Sequence, residues 1–285
     1  MDAGVLQRFA IAAGAAAGSL ALTLALVLSA DARSGDPVGP ELLPDLVVER
    51  PNELYIAGKK VKRLRVSNTV SNKGNGPLEI TGDGSECEIP GVTEAKRTMQ
   101  RVYNDDLEEA GSLNFFWRAH DKGWSEQEAG CSRFHLKHNH WHFDNFARYT
   151  LLSERTGKVV AGSRKVSFCV IDTGRPHPDL PGSPDDPYYP KDPGAPFASC
   201  SKTSVDGLSI GWEDTYGASL PGQGLKVTGR RRGRYCLRLE TDPEKVPGDG
   251  GVLEELSENN NTRTVRLRLR VGRGVVKRLG KTCNL

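Results

Sequence analysis

The sequence predicts a mainly β fold, an antiparallel β-sandwich with long functional loops. Three observations predict it. Apolar residues recur at every second position in short runs. The clearest is residues 262–271, where Val265, Leu267, Leu269 and Val271 alternate with Arg266, Arg268 and Arg270. Such a run buries one face and solvates the other. The chain also carries 32 Gly and 17 Pro among 285 residues, so turns are frequent. Beyond residue 32, no long stretch repeats with the helical period.

Taken in order, Phe9 to Ala30 is an uncharged run rich in Ala and Leu, followed by the small-residue site Ser29-Ala30-Asp31-Ala32. It reads as a signal peptide, residues 1–32, with an N-terminal membrane anchor as the alternative. Residues 33–43, rich in Gly, Pro and Asp, read as a linker, and residues 44–285 as one domain. Strands are expected at Leu46–Val48, 61–70, 78–80 and 98–103, with a turn over 72–77. Phe115, Phe116, Trp117 and Trp124 are expected to pack under a long loop. Residues 147–153 and 158–161 read as a hairpin closing near Gly157. Further strands are expected at 165–171, 212–220, 233–240 and 262–271, and residues 172–199 read as a polar surface loop.

A net charge of +3 is too small to imply nucleic acid. From Lys226 onward, however, 15 Lys and Arg face 7 Asp and Glu. A solvated outer sheet face accounts for this more simply than a polyanion site. The six cysteines form no C-x-x-C pair, which argues against zinc-ribbon and thioredoxin-type motifs. Three disulfides in an exported chain fit better. Chain order favours Cys87–Cys131, Cys169–Cys200 and Cys236–Cys283, although spacing alone does not choose among the pairings.

The chemistry concentrates in Cys131 to Tyr149, CSRFHLKHNHWHFDNFARY. His135, His138, His140 and His142 are four of the six histidines in the chain. On a strand, positions i, i+2 and i+4 share a face, so His138, His140 and His142 are expected side by side. Neutral imidazoles suit copper, zinc, iron or nickel, and the spacing alone does not choose the metal.

The segment His135-Leu136-Lys137-His138-Asn139-His140-Trp141-His142 resembles the copper-binding segment of lysyl oxidases. Lys165-Val166-Ser167-Phe168-Cys169 resembles the stretch carrying that family's cofactor lysine, and Asp214-Thr215-Tyr216-Gly217-Ala218 the stretch carrying its cofactor tyrosine. Glu258-Asn259-Asn260 and the strand after them resemble the last strand of its catalytic domain. The resemblance runs in order from about residue 44 to 283 and is weak over 82–130. Two departures are the Trp-rich lead-in, replaced by Ser132-Arg133-Phe134, and a cysteine between the first two histidines, replaced by Leu136 or Lys137.

The resemblance implies Cu(2+) on His138, His140 and His142, with His135 beside the ligands. It also implies a lysine tyrosylquinone cofactor made from Lys165 and Tyr216. The implied activity is that of a secreted amine oxidase. It would use O2 to convert primary amines, chiefly lysine side chains of proteins, to aldehydes with release of ammonia and hydrogen peroxide. Lys165 could attack an oxidised tyrosine only as a neutral amine. Asp214, two residues from Tyr216, is a candidate general base, and Asp144 a candidate to orient an imidazole. A membrane contact is expected only if the N-terminal segment stays uncleaved. Two other classes compete: a catalytically silent copper-binding module, and a zinc hydrolase using Glu126 or Glu128 as base.

Overall fold

The computed structural model describes residues 41–104, 124–163, 167–190, 205–244, 251–280 and 283, the side chain of Asp83 excepted. The segment expected to be a signal peptide, together with Phe115, Phe116, Trp117, Lys165 and Cys200, lies outside the described residues.

In chain order the strands are β1 (Glu41–Leu42), β2 (Leu46–Val48), β3 (Leu54–Ala57), β4 (Arg63–Val66), β5 (Asn68–Asn72) and β6 (Leu78–Glu86). Next come β7 (Ala95–Asn104), β8 (Trp124–His135), β9 (His140–Phe143), β10 (Ala147–Ser153), β11 (Val159–Gly162) and β12 (Asp206–Leu208). The series ends with β13 (Glu213–Tyr216), β14 (Leu225–Lys226), β15 (Gly233–Thr241), β16 (Thr262–Arg270) and β17 (Val275–Arg278). Every pairing between these strands is antiparallel. The mainly β, antiparallel architecture expected from the alternation is therefore what forms. The strands divide among four sheets: β12-β6-β7-β8-β9 with β1 on β7, β11-β10-β15-β16-β17, β13-β5-β2, and β14-β4-β3.

The alternation in β16 places Val265, Leu267 and Leu269 in the core and leaves Arg268 exposed. The hairpin β10–β11 closes through Gly157 in the left-handed region, φ +65°, a conformation that glycine adopts without steric cost. Residues 61–70 do not form one strand but two, β4 and β5, with buried Ser67 between them. Glu41 and Leu42, expected in the linker, pair with Asn104 and Tyr103 of β7.

The longest strand, β8, is the one the pattern hid. Residues 125–128, SEQE, are polar, and residues 125–130 lack β-branched side chains, so nothing local marks a strand. Its partner supplies the order: Arg101 meets Glu126 at 2.8 Å and Arg97 meets Glu128 at 2.9 Å. Conversely, the expected strand at 165–171 is, over its described part, a single antiparallel bridge of Phe168 to Phe143.

Buried Asn72 holds the turn over 72–77. Its Oδ1 accepts from the backbone N–H groups of Asp45 and Gly74, and its Nδ2 donates to the carbonyls of Gly76 and Leu208. All four bonding positions of the amide are used. Two of the chain-order disulfides are present, Cys87–Cys131 and Cys236–Cys283. Cys169 is also disulfide-bonded, to a partner outside the described residues. Among the described residues no helix is long and apolar enough to cross a membrane.

Candidate active site

The histidines cluster at the tip of the β8–β9 hairpin. His135 ends β8 and faces His140 at the start of β9, with Phe134 opposite Trp141 and Arg133 opposite His142. Residues 136–139 make the turn. The N–H groups of His138 and Asn139 both donate to the carbonyl of His135, at 2.9 and 2.8 Å. Asn139 adopts φ +59°, a left-handed conformation that asparagine tolerates. This corrects the strand-face expectation for the three histidines. His138 lies in the turn, because the chain bends at Asn139 and the two-residue alternation stops there. Only His140 and His142 share the strand face, joined by His135 from across the hairpin.

The bend nevertheless brings His138 back to the same cluster. One ring nitrogen from each of His138, His140 and His142 lies within 4.8 Å of the others. The Nε2 atoms of His140 and His142 are 2.9 Å apart, and the His135 ring stacks on His138 at 4.0 Å. Two nitrogens each about 2.0–2.1 Å from one ion, at a right angle, would stand about 2.9 Å apart, so these two rings fit a shared ion. Right-angled imidazole ligation suits tetragonal Cu(II). His142 is buried, His140 half-buried and His138 exposed, so the cluster opens to solvent on one side. On the opposite face, Trp141 packs edge-on against Phe134 at 5.3 Å, and Lys96 Nζ lies 4.4 Å from the Trp141 ring centre.

Tyr216 comes to this region from β13. Its hydroxyl donates to the Cys169 carbonyl at 2.7 Å and accepts from the Cys169 N–H at 3.1 Å. Its ring meets Phe168 edge-on at 4.8 Å. Burial holds the phenol well above its ordinary pKa, and the nearby Asp214 charge pushes the same way, against the Cys169 backbone bond. The phenol is thus neutral at neutral pH. Asp214 is buried two residues away on the same strand. Lys165, three residues before Phe168 in the chain, lies outside the described residues.

Sequence reasoning missed Tyr149 and Gln223. Both are fully buried, and Gln223 and the Asp214 charge both act on the Tyr149 phenol. Burial raises the Tyr149 phenol pKa, Gln223 opposes that, and Asp214 adds to it. No motif marks either residue, because β10 and the loop before β14 meet only in the fold. Asp144 ion-pairs with Arg133, the residue opposite His142. Glu126 and Glu128, the zinc-hydrolase candidates, are exposed and paired with Arg101 and Arg97.

The described part of the loop expected at 172–199 is anchored from within. Asp172, buried, accepts from Ser209 Oγ at 2.6 Å, Ser209 N at 2.9 Å and Tyr189 N at 3.1 Å. Burial, outweighing these bonds, pushes its carboxyl up to about 6. Tyr189, also buried, donates its hydroxyl to Glu79 at 2.9 Å, and Arg101 reaches Glu79 at 3.0 Å.

An antiparallel β-protein with a histidine cluster of metal-ligand spacing, linked through Phe143 and Phe168 to a half-buried tyrosine, is the class these features define. Comparison with known proteins is more specific. The family model for lysyl oxidase matches residues 92–182, which include the four clustered histidines and Lys165 and stop short of Asp214 and Tyr216. Protein-lysine 6-oxidase of Homo sapiens is 32% identical over 151 residues, 51% of this chain and 32% of that protein. Lysyl oxidase homolog 1 of Homo sapiens is 29% identical over 223 residues, 78% of this chain and 32% of that protein. Protein-lysine 6-oxidase of Sus scrofa is 32% identical over 151 residues, 51% of this chain and 54% of that protein. Over these residues the chain is similar to the lysyl oxidase family. It spans between about a third and about half of the length of these relatives.

Proposed function

We propose that this protein is a secreted copper amine oxidase of the lysyl oxidase type, acting on primary amines and chiefly on lysine side chains of proteins. The observation that carries the reading is one line of contacts. His142 is followed by Phe143, Phe143 bridges Phe168, and Phe168 packs on Tyr216. The Phe143–Phe168 bridge and the Phe168 ring thereby link a candidate metal cluster to a candidate cofactor tyrosine.

His138, His140 and His142 would hold Cu(2+), with His135 stacked beside them. Copper would supply redox chemistry with O2, and a lysine tyrosylquinone made from Lys165 and Tyr216 would supply the electrophile for the amine. The protein's own residues supply position and proton transfer. The two hydrogen bonds to Cys169 fix the Tyr216 ring in rotation and depth. Phe168 limits water on one side of that ring. Asp214, buried beside it, would accept the proton lost from the substrate carbon. The disulfides Cys87–Cys131 and Cys236–Cys283 support export to an oxidising compartment.

The test is mass spectrometry of copper-loaded, oxygenated protein after proteolysis. A peptide pair joined through Lys165 and Tyr216 is the expected result. Its absence in fully metallated protein sinks the oxidase reading and leaves a metal-binding module.

A further inference from the structure

The histidine and tyrosine site leaves unused a large arginine-lined groove on the sheet containing β10, β15 and β16. The groove measures about 1030 Å³. Its walls come from the β10–β11 hairpin, the loop before β15, and the outer face of β16. Arg155, Arg230, Arg231, Arg232 and Arg268 line it, and all are exposed.

Among the described residues the groove has a single lining carboxylate, Glu154. Both its oxygens are already engaged, one by Arg234 at 2.8 Å and the other by Arg266. Arg155, Arg230, Arg231, Arg232 and Arg268 form no ion pair among the described residues. The strand register adds to the crowding. Arg234, Arg268 and Lys277 stand directly opposite one another across β15, β16 and β17. Like charges in directly opposed positions destabilise a sheet. The Arg230–Arg232 loop is built rather than incidental: the Arg230 N–H donates to the Val227 carbonyl at 3.0 Å, and Tyr235 donates its hydroxyl to the Arg231 carbonyl at 2.7 Å.

We propose that this groove binds a linear anionic polysaccharide through its sulfate or carboxylate groups. Guanidinium forks grip two oxygens of a carboxylate or sulfate group at once, and the basic side chains lining the groove among the described residues are all arginine. Among the described residues the two larger uncharged lining side chains are Val160 and buried Tyr235. The groove thus offers neither an aromatic platform for stacking bases nor a deep apolar anchor for a folded protein. Cys236, next to Tyr235, is disulfide-bonded, which fits an oxidising compartment where acidic polysaccharides are common polyanions. The inference is independent of the oxidase reading, since the groove uses none of its residues.

The test is binding of the full, disulfide-intact chain to heparin (sulfated), polygalacturonate (carboxylated) and duplex DNA, each at low and moderate salt. Two variants of equal net charge are compared: Arg230→Ser/Arg231→Ser/Arg232→Ser in the groove, and Lys59→Ser/Lys60→Ser/Arg273→Ser outside it. Circular dichroism checks that both fold. The expected result is salt-sensitive binding to one or both polysaccharides, weakened about tenfold or more by the groove variant and less than about twofold by the control. Heparin preference assigns sulfate, and polygalacturonate preference assigns carboxylate. No binding by the native chain, equal loss in both variants, or tighter binding to duplex DNA overturns the proposal.

Discussion

Phe143 and Phe168 exchange both of their backbone hydrogen bonds, at 2.7 and 3.0 Å. That bridge ties the histidine strand to the segment on which Tyr216 rests. Phe168 also packs near Phe146 and Tyr149, so its ring is shared between the core and the candidate site. Phe168→Ala is expected to cost about 3–5 kcal/mol of stability, as large-to-small core changes do. Chemical denaturation measures that loss. The same variant should form less of the Lys165–Tyr216 bridge, read as cross-linked peptide per bound copper.

The four histidines should not be equivalent. His140→Ala and His142→Ala remove nitrogens that face each other at 2.9 Å, and each is expected to abolish stoichiometric copper binding. His135 stacks on His138 and lies opposite His140, so His135→Ala should weaken binding by about 10–100-fold, as loss of a supporting group does. Competition titration against a chelator of known affinity separates the two levels. A His135 variant as defective as the His142 variant would make His135 a ligand.

Tyr216→Phe keeps the ring against Phe168 and deletes both hydrogen bonds to Cys169. A loss of about 1–2 kcal/mol is expected on unfolding. Copper binding should be unchanged, and the cross-linked peptide should vanish. Loss of copper along with the cross-link would mean that Tyr216 supports the metal site itself.

Asn72→Ala strips four partners at once from a buried turn. The N–H groups of Asp45 and Gly74 and the carbonyls of Gly76 and Leu208 lose their contact with the amide. The expected cost is about 3 kcal/mol or more in a urea titration, with the copper-binding stoichiometry of the folded fraction unaffected.

Asp172 carries a pH signature. Its folded carboxyl is raised to about 6 from an ordinary value of 3.8, so the fold binds its proton more tightly than the unfolded chain does. The contribution to stability is full below about pH 3.8 and is lost as pH rises through about 6. Asp172→Asn should remove this component. Between about pH 4 and 6 the native protein should lose more stability than the variant, by on the order of 3 kcal/mol. Unfolding midpoints of the two proteins across that range test the difference, and parallel curves would refute it.

The sequence by itself determined the mainly β class, because alternation in β16 and turn residues such as Gly157 act within a few residues of themselves. It also marked the histidine cluster and Tyr216, since those residues are close in the chain or carry a family pattern. Only the tertiary structure decided where His138 sits, because one left-handed residue, Asn139, ends the alternation on which the strand argument depended. Only the fold revealed β8, whose polar residues become a strand through the arginines of β7. Only the fold brought Gln223 to Tyr149, Tyr149 within reach of the Asp214 charge, and Phe168 between Phe143 and Tyr216. Alternation and turn preference are short-range properties written in neighbouring residues. A contact between positions far apart in the chain exists only after the sheets have closed.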